Sequence, residues 1–219
     1  MITRKSRIYK NNLQDLEKKK VTIIGCGGTG SWLAELLAKA GINLLLVDYD
    51  IVEESNLERQ NYFLEEIGKL KVDCLKNRLK KFSNIETLPV KVDSTNLNDI
   101  PFNDLCVDCT DDINTKIAIA RFCLDNRRDY LFTSVQKNHG FVYLYTPQKS
   151  SILKIYKNKI PQKLNEVGVM NSAVMFLSSL AASFVIKYLL NEPIPSEILY
   201  FNLELLELTR IRIKDENKK

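Results

Sequence analysis

Cysteine runs out early in this sequence: there are five, an odd number, and none follows Cys123. Free thiols in a reducing compartment therefore fit better than a disulfide framework. No apolar segment opens the chain, because Met1 to Lys10 is polar and basic, so a secretory signal is not expected. Nor is there a clean run of membrane length. The longest apolar stretch, Val167 to Leu190, carries Asn171, several serines and Lys187, and reads as a buried helix. These absences predict a cytoplasmic protein with no membrane partner.

Charge of one sign is also thin. Lys and Arg number 32 against 27 Asp and Glu, a balance of +5 with no long basic block. That balance suits an anionic ligand or an acidic partner and favours nucleic acid least. Histidine occurs once, at His139 before Gly140, where it reads as a loop residue rather than a base. No repeat and no low-complexity linker divides the chain, so residues 1–219 are expected to form one domain, with a polar arm over 1–19. The composition, 45% hydrophobic and 27% charged, is that of a soluble protein able to bury its own core.

What is present is an alternation of strand and helix patterns. Val21 to Ile24 is a short β-branched run that ends in Gly25-Cys26-Gly27-Gly28-Thr29-Gly30. A helical stripe follows, with Trp32, Leu33, Leu36, Leu37 and Ala40 on one face and Gly41 as its stop. Asn43 to Val47 is a second strand ending at Asp48. This βαβ unit implies a parallel sheet. Residues 51–63 read as an ordered loop, Leu64 to Phe82 as a lysine-rich helix, and Ile85 to Val92 as a third strand. Leu105 to Val107 is a buried strand ending at Asp108, and Ile113 to Asn126 a helix with Ile117, Ala120 and Leu124 on one face. Tyr130 to Val135 and Gly140 to Tyr145 read as strands, Val169 to Leu190 as a helix, and 198–213 as a terminal hairpin before a charged tail. The expected fold is α/β: a Rossmann-like, mostly parallel twisted sheet, helices on both faces, antiparallel strands at the C-terminal edge.

The glycine turn between strand and helix carries the first chemical signal. Glycines at 25, 27, 28 and 30 let the chain turn tightly and let backbone N–H groups approach a phosphate. Asp48 ends the next strand, where a carboxylate can accept from ribose hydroxyls. A tight turn without a ligand would need fewer glycines and no placed acid. The glycines alone do not choose between NAD and ATP.

The stretch Asp48-Tyr49-Asp50-Ile51-Val52-Glu53-Glu54-Ser55-Asn56-Leu57-Glu58-Arg59-Gln60, then Gly68-Lys69-Leu70-Lys71, resembles the ubiquitin-activating-enzyme superfamily. Its sulfur-carrier adenylyltransferases, of the molybdopterin-synthase and thiazole-biosynthesis type, carry a glycine turn, Asp-x-Asp, Ser-Asn-Leu-x-Arg-Gln and Gly-x-x-Lys. Arg59 and Lys71 are cations suited to phosphate oxygens, and Asn56 can offer an amide. A surface salt bridge of Arg59 with Glu58 or Glu65, and a solvated helix face for Lys71, are the competing readings.

Asp108-Cys109-Thr110-Asp111-Asp112 resembles the family's Asp-Cys-Thr-Asp-Asn, in which the residue matching Asp111 serves the metal–nucleotide site. Three carboxylates within five positions suit a hard cation such as Mg²⁺, although Thr110 and Asp112 also suit a helix cap. Asp112 replaces the family's Asn. Arg4-Lys5-Ser6-Arg7-Ile8 resembles an N-terminal Arg-Tyr-x-Arg-Gln segment whose second arginine, here Arg7, reaches a partner's ATP in homodimers. Many members bind structural zinc through two later Cys-x-x-Cys pairs. This chain has only Cys106-x-x-Cys109, so no zinc is expected, and no downstream thiol is available for transfer. Gly168 to Ser172 resembles the family's Gly-Val-Leu-Gly-Pro segment and reads as core or dimer contact.

The resemblance implies ATP and Mg²⁺ bound over Gly25, Gly27, Gly28 and Gly30, by Asp48, Asp50, the segment Ser55 to Gln60, Lys71, Asp111 and Asp112. It implies a ubiquitin-like sulfur carrier ending Gly-Gly as partner and a homodimer as the assembly. A nicotinamide oxidoreductase would use the same turn but gives no reason for Arg59, Lys71 and Asp111 together. The same fold acting on tRNA or a short peptide is the nearer alternative.

Overall fold

The structure, a computed structural model, describes residues 13–156 and 168–213. Eight strands form one sheet in the order β3-β2-β1-β4-β5-β6-β7-β8. The strands are β1 (Lys20–Ile24), β2 (Asn43–Val47), β3 (Ile85–Leu88), β4 (Leu105–Asp108), β5 (Tyr130–Gln136), β6 (His139–Tyr145), β7 (Ile198–Asn202) and β8 (Glu207–Ile211). Pairing is parallel from β3 through β5 and antiparallel from β5 through β8. The expected mostly parallel sheet with an antiparallel C-terminal edge is therefore what the chain forms.

Six helices accompany it among the described residues: α1 (Leu13–Lys18), α2 (Gly28–Lys39), α3 (Lys71–Leu79), α4 (Ile113–Asp125), α5 (Leu153–Tyr156) and α6 (Asn171–Leu189). Alternation along the strands sends side chains to two separate apolar layers. Val21, Ile23, Leu44, Leu46, Leu105 and Val107 meet Leu33, Leu37, Val72, Leu75, Leu177 and Ala181 of α2, α3 and α6. Leu45, Val47, Cys106, Tyr130, Phe132, Tyr143 and Tyr145 face the other way, onto Ile119, Ala120 and Cys123 of α4 and the 92–102 segment. Two buried layers explain why Leu44 to Val47 of β2 is apolar without interruption.

The helix α6 is long and apolar enough to cross a membrane by length and composition. In the fold it lies against α2 and the β5–β6 hairpin, with Ala173, Val174, Leu177, Ala181 and Val185 buried. The expectation of a core helix there fits its packing.

Four details differ from the sequence reading. The lysine-rich helix starts at Lys71, not Leu64. Leu64–Glu66 forms only a 3₁₀ turn, Gly68 takes φ +84 and Ile51 bridges Leu70, so the α-helix cannot start before Lys71. β3 stops at Leu88 because Pro89 has no N–H for a ladder. On α2 the buried stripe is Gly30, Leu33, Ala34, Leu37 and Ala38, with Leu36 exposed and Trp32 half-buried. On α4 it is Lys116, Ile119, Ala120 and Cys123, with Leu124 exposed. In both helices the apolar residues on the outer flank fooled the periodicity by about one position.

Candidate functional site

The strand order reverses between β1 and β4, and a cleft outside the strand ends at such a switch point is where α/β sheets bind ligands. The glycine turn leaves β1 there, and the Asp108–Asp112 segment leaves β4 beside it. The four glycines do different work. Gly25 has φ +89, and a Cβ on it would lie 2.9 Å from the Cys109 carbonyl and 3.0 Å from Thr110 N. A Cβ on Gly30 would lie 1.9 Å from the Gly25 oxygen, so these two close the turn on itself and on the β4 loop. Gly28 abuts Val174 of α6, at 3.1 Å from a built Cβ.

Gly27 is the open one. A Cβ there would meet only the Gln60 amide nitrogen, at 3.9 Å. Gly27 is also the N-cap of α2, and no side chain among the described residues caps that helix. The first N–H groups of α2 are thus left to an anion, with the partial positive charge of the helix start behind them. Gln60 is buried, and its Oε1 has no hydrogen-bond partner among the described residues. An acceptor waiting beside a phosphate cradle suits a ligand that brings its own donors, as a nucleoside does, better than bare phosphate.

Residues 49–62 are strapped along α2. Trp32 Nε1 donates to the Arg59 oxygen (3.2 Å), Asn61 N to Ser31 Oγ (3.0 Å), and Tyr62 Oη to the Cys26 oxygen (2.6 Å). Asn56 is buried, and its side-chain oxygen accepts from Glu53 N (3.1 Å), closing a short 3₁₀ turn over Glu54–Asn56. Leu57 anchors the strap on the core beneath, while Ser55 and Glu58 are exposed.

Asp48 accepts from Cys26 N (2.6 Å) and Asp50 N (2.8 Å), so it braces the glycine turn with both oxygens. Burial raises its pKa above the usual carboxylate value, against the pull of those two hydrogen bonds and the Lys71 charge. Lys71 is buried and gives its ammonium to Asp50 Oδ2 at 2.9 Å. A solvated helix face is therefore ruled out for Lys71. Arg59 matches its competing reading instead: Nη1 bonds Glu58 Oε1 (2.9 Å) and the Ser55 oxygen (2.8 Å). Glu58 is largely exposed, so this pair is worth about 0–1 kcal/mol and yields easily to a stronger anion.

The three carboxylates after β4 diverge, contrary to the expectation of a shared cation site. Asp108 turns inward to Lys116 (3.2 Å to each oxygen), and Asp112 caps α4 through Thr115 N (2.7 Å). Asp111 and Asp112 are both exposed, and of the three only Asp111 has neither a cap nor an ion pair among the described residues. Among the described residues no three His, Cys, Asp or Glu side chains converge on a metal position. One carboxylate still fits a magnesium ion that arrives on a triphosphate, since such an ion takes one or two protein carboxylates and keeps its waters. Arg7 lies outside the described residues.

All five cysteines are buried free thiols. Burial pushes them up, Cys109 to about 12 and Cys26 and Cys106 well above the usual thiol, so none offers a thiolate. His139 shares a 2.8 Å hydrogen bond between its Nδ1 and Tyr200 Oη, away from the turn. A cleft of about 490 Å³ lies at the opposite end of the sheet, lined by Lys19, Asp104, Asp129, Tyr188 and Glu192. Its groups satisfy one another, Lys19 with Asp104 and Tyr188 with Asp129, and it faces none of the residues above.

Sequence reasoning read Trp32 only as part of an apolar helix face and passed over Tyr62 and Lys116, although all three hold the strap and the β4 loop. Lys116 left a trace as a charge on the same stripe as Ile119, Ala120 and Cys123.

The pattern of the ThiF family matches residues 3–219. The chain is 29% identical over 185 residues to the molybdopterin-synthase adenylyltransferase of Haemophilus influenzae, covering 80% of this chain and 76% of that one. It is 27% identical over 221 residues to the ubiquitin-like modifier-activating enzyme 5 of Dictyostelium discoideum, covering 88% of this chain and 58% of that longer protein. E. coli MccB, solved with ATP, superposes with a TM-score of 0.81 at 23% identity over 97% of this chain and 72% of MccB, a likeness of fold.

Proposed function

Because the chain belongs to the ThiF family, we propose that it is an ATP-dependent adenylyltransferase acting on the C-terminal carboxylate of a ubiquitin-like sulfur carrier. The observation that carries this reading is the glycine start of α2, open at Gly27, uncapped among the described residues and flanked by a Gln60 oxygen with no partner among them. Both relatives named above are activating or adenylylating enzymes by name.

In this reading ATP lies over the turn, with its phosphates against the first N–H groups of α2. Lys71 and Arg59 supply positive charge to the phosphates, and Asn56 an amide. Gln60 and the Asp48–Asp50 strand end face the nucleoside side. Asp111 would hold a magnesium ion carried on the triphosphate, which would offset negative charge on the phosphate oxygens. The carrier's carboxylate oxygen attacks the α-phosphorus. The bond from that phosphorus to the bridging oxygen breaks, and pyrophosphate leaves with the electron pair. The product is an acyl-adenylate. No base is needed, because a terminal carboxylate is already ionised at neutral pH. The protein's contribution is alignment and stabilisation of charge on the departing oxygens.

A Gly-Gly tail on the carrier would thread a narrow approach without side chains. A cytoplasmic homodimer, with Arg7 reaching the partner's nucleotide, completes the proposal. The reaction is tested by incubating the chain with ATP, magnesium and each candidate carrier, and reading intact masses. A gain of one AMP on a carrier supports it; an adenylated short peptide, or a change confined to tRNA, selects another acceptor. Stabilisation by NADH and not by ATP-Mg²⁺ in a thermal-shift assay replaces the whole reading with a redox one.

A further inference from the structure

A buried ion pair beneath the Asp111 loop takes no part in the chemistry just described. Asp108 ends β4 with no exposure, and Lys116, in the first turn of α4, is 4% exposed. Lys116 Nζ stands 3.2 Å from both Asp108 oxygens, 2.7 Å from the Thr133 carbonyl oxygen of β5, and 4.7 Å from the Phe132 ring centroid. Thr133 Oγ1 in turn donates to the Asp108 backbone oxygen at 2.7 Å.

An apolar pair would join β4 to α4 at least as well, because a buried ion pair gains little over well-packed hydrophobic groups. The carboxylate does something an apolar group cannot. Asp108 Oδ1 also accepts from Thr110 N (3.0 Å) and Thr110 Oγ1 (2.7 Å), which bends the chain directly after the strand. The bent residues, Cys109 and Thr110, are those that press on Gly25. Two positions further, Asp112 is fixed by its own cap on Thr115. Asp111 therefore sits between two anchored neighbours. A carboxylate with no access to water needs a counter-charge, and Lys116 is that charge.

We propose that the Asp108–Lys116 pair is a positioning device that sets Asp111 against the glycine turn, where it meets the metal of the bound triphosphate. The inference rests on the reading that Asp111 serves ATP-Mg²⁺. Neither Asp108 nor Lys116 touches the ligand.

The test measures ATP affinity of the full chain by titration calorimetry, once with excess Mg²⁺ and once in EDTA. The ratio of the two Kd values isolates what the metal contributes. Wild type is expected to gain about tenfold or more from the metal, and Asp111→Ala to lose that gain. The paired variant Asp108→Asn/Lys116→Met removes both charges together. It is expected to bind metal-free ATP like wild type while its metal gain falls below about threefold; Lys116→Arg, which keeps the charge, retains most of the gain. Thr110→Val leaves the ion pair in place and breaks only one bond of the bend. It is the second variant should the paired one unfold, and it too is expected to lose part of the metal gain.

A merely stabilising pair would lower melting temperature and leave the ratio unchanged. A wild-type ratio in the paired variant, or in Thr110→Val when the paired variant does not fold, overturns the inference while leaving the function standing. Absence of ATP binding by wild type, or an intact ratio in Asp111→Ala, removes the functional reading and this inference with it.

Discussion

Lys71 Nζ lies 2.9 Å from Asp50 Oδ2, although Lys71 is the first residue of α3 and only 5% exposed. A lysine at a helix start opposes the helix dipole, and a buried one also loses hydration. Its Asp50 partner is 43% exposed by side chain, so the pair opens toward the solvent side of the site. Such a cation is poorly placed for stability alone and well placed to turn from Asp50 to a phosphate.

Lys71→Met is therefore expected to keep the fold. Its unfolding free energy should change by no more than about 1 kcal/mol, because Asp50 remains hydrated and Met fills similar volume. ATP affinity should fall by roughly tenfold or more, the loss of one charge-assisted contact. Urea denaturation and calorimetric titration read the two quantities separately, and a variant that binds ATP like wild type removes Lys71 from the site.

Arg59→Ala breaks only an exposed pair with Glu58 and one bond to the Ser55 oxygen. Stability should stay within about 1 kcal/mol of wild type. Carrier-dependent exchange of pyrophosphate into ATP should drop by roughly 10²–10³, the usual loss on removing a pre-placed donor. Unchanged exchange rejects the assigned role.

The glycines should separate by their surroundings. Gly30→Ala drives a Cβ to 1.9 Å from the Gly25 oxygen, a backbone atom that cannot step aside. Destabilisation of about 3 kcal/mol or more, or failure to fold, is expected. Gly27→Ala meets only the flexible Gln60 amide at 3.9 Å. It should cost about 1 kcal/mol as a poorer N-cap and chiefly weaken ATP binding. Equal thermal stability of the two variants contradicts the assignment of Gly30 to packing.

Breaking the buried pair by Lys116→Met alone leaves Asp108 charged and without a counter-charge, with an expected cost of about 3–5 kcal/mol. The double change with Asp108→Asn should recover most of that. Denaturation midpoints of the single and paired variants check the difference.

Glu35 and Asp48 should respond to pH with opposite signs. Burial alone would raise Glu35, but hydrogen bonds from Lys39 and Asn61 override it and hold the pKa below the usual value. Its stabilisation is full above the unfolded value of about 4.3 and is lost as pH falls through the lower folded value. Glu35→Gln should thus lower the melting temperature at pH 7 and lose that effect near pH 3. Asp48 is raised by burial, so its favourable contribution lies below about pH 3.9 and fades as pH rises through the higher folded value. Asp48→Asn should accordingly cost less at pH 7 than at pH 4. Melting curves of both variants across that range decide the signs.

Much of the fold was legible because local rules agreed. The β1–turn–α2–β2 unit, β5, β6, α6 and the terminal hairpin all follow from β-branched runs, a 3.6-residue period and glycine stops. The helix expected from Leu64 was wrong by seven residues because Gly68 and the Ile51–Leu70 bridge are set by a neighbour distant in sequence. Composition likewise suggested a cation site at Asp108, Asp111 and Asp112, which the fold separates into a brace, a rim group and a cap.

By itself the sequence determined the doubly wound sheet and the glycine start of α2, since strand runs, helix period and φ-permissive residues are properties of short segments. Tertiary structure alone decided which glycine faces outward, which lysines lie under the surface, and that Arg59 rests on Glu58. Those outcomes depend on which groups are desolvated together, and desolvation is fixed only when distant segments pack.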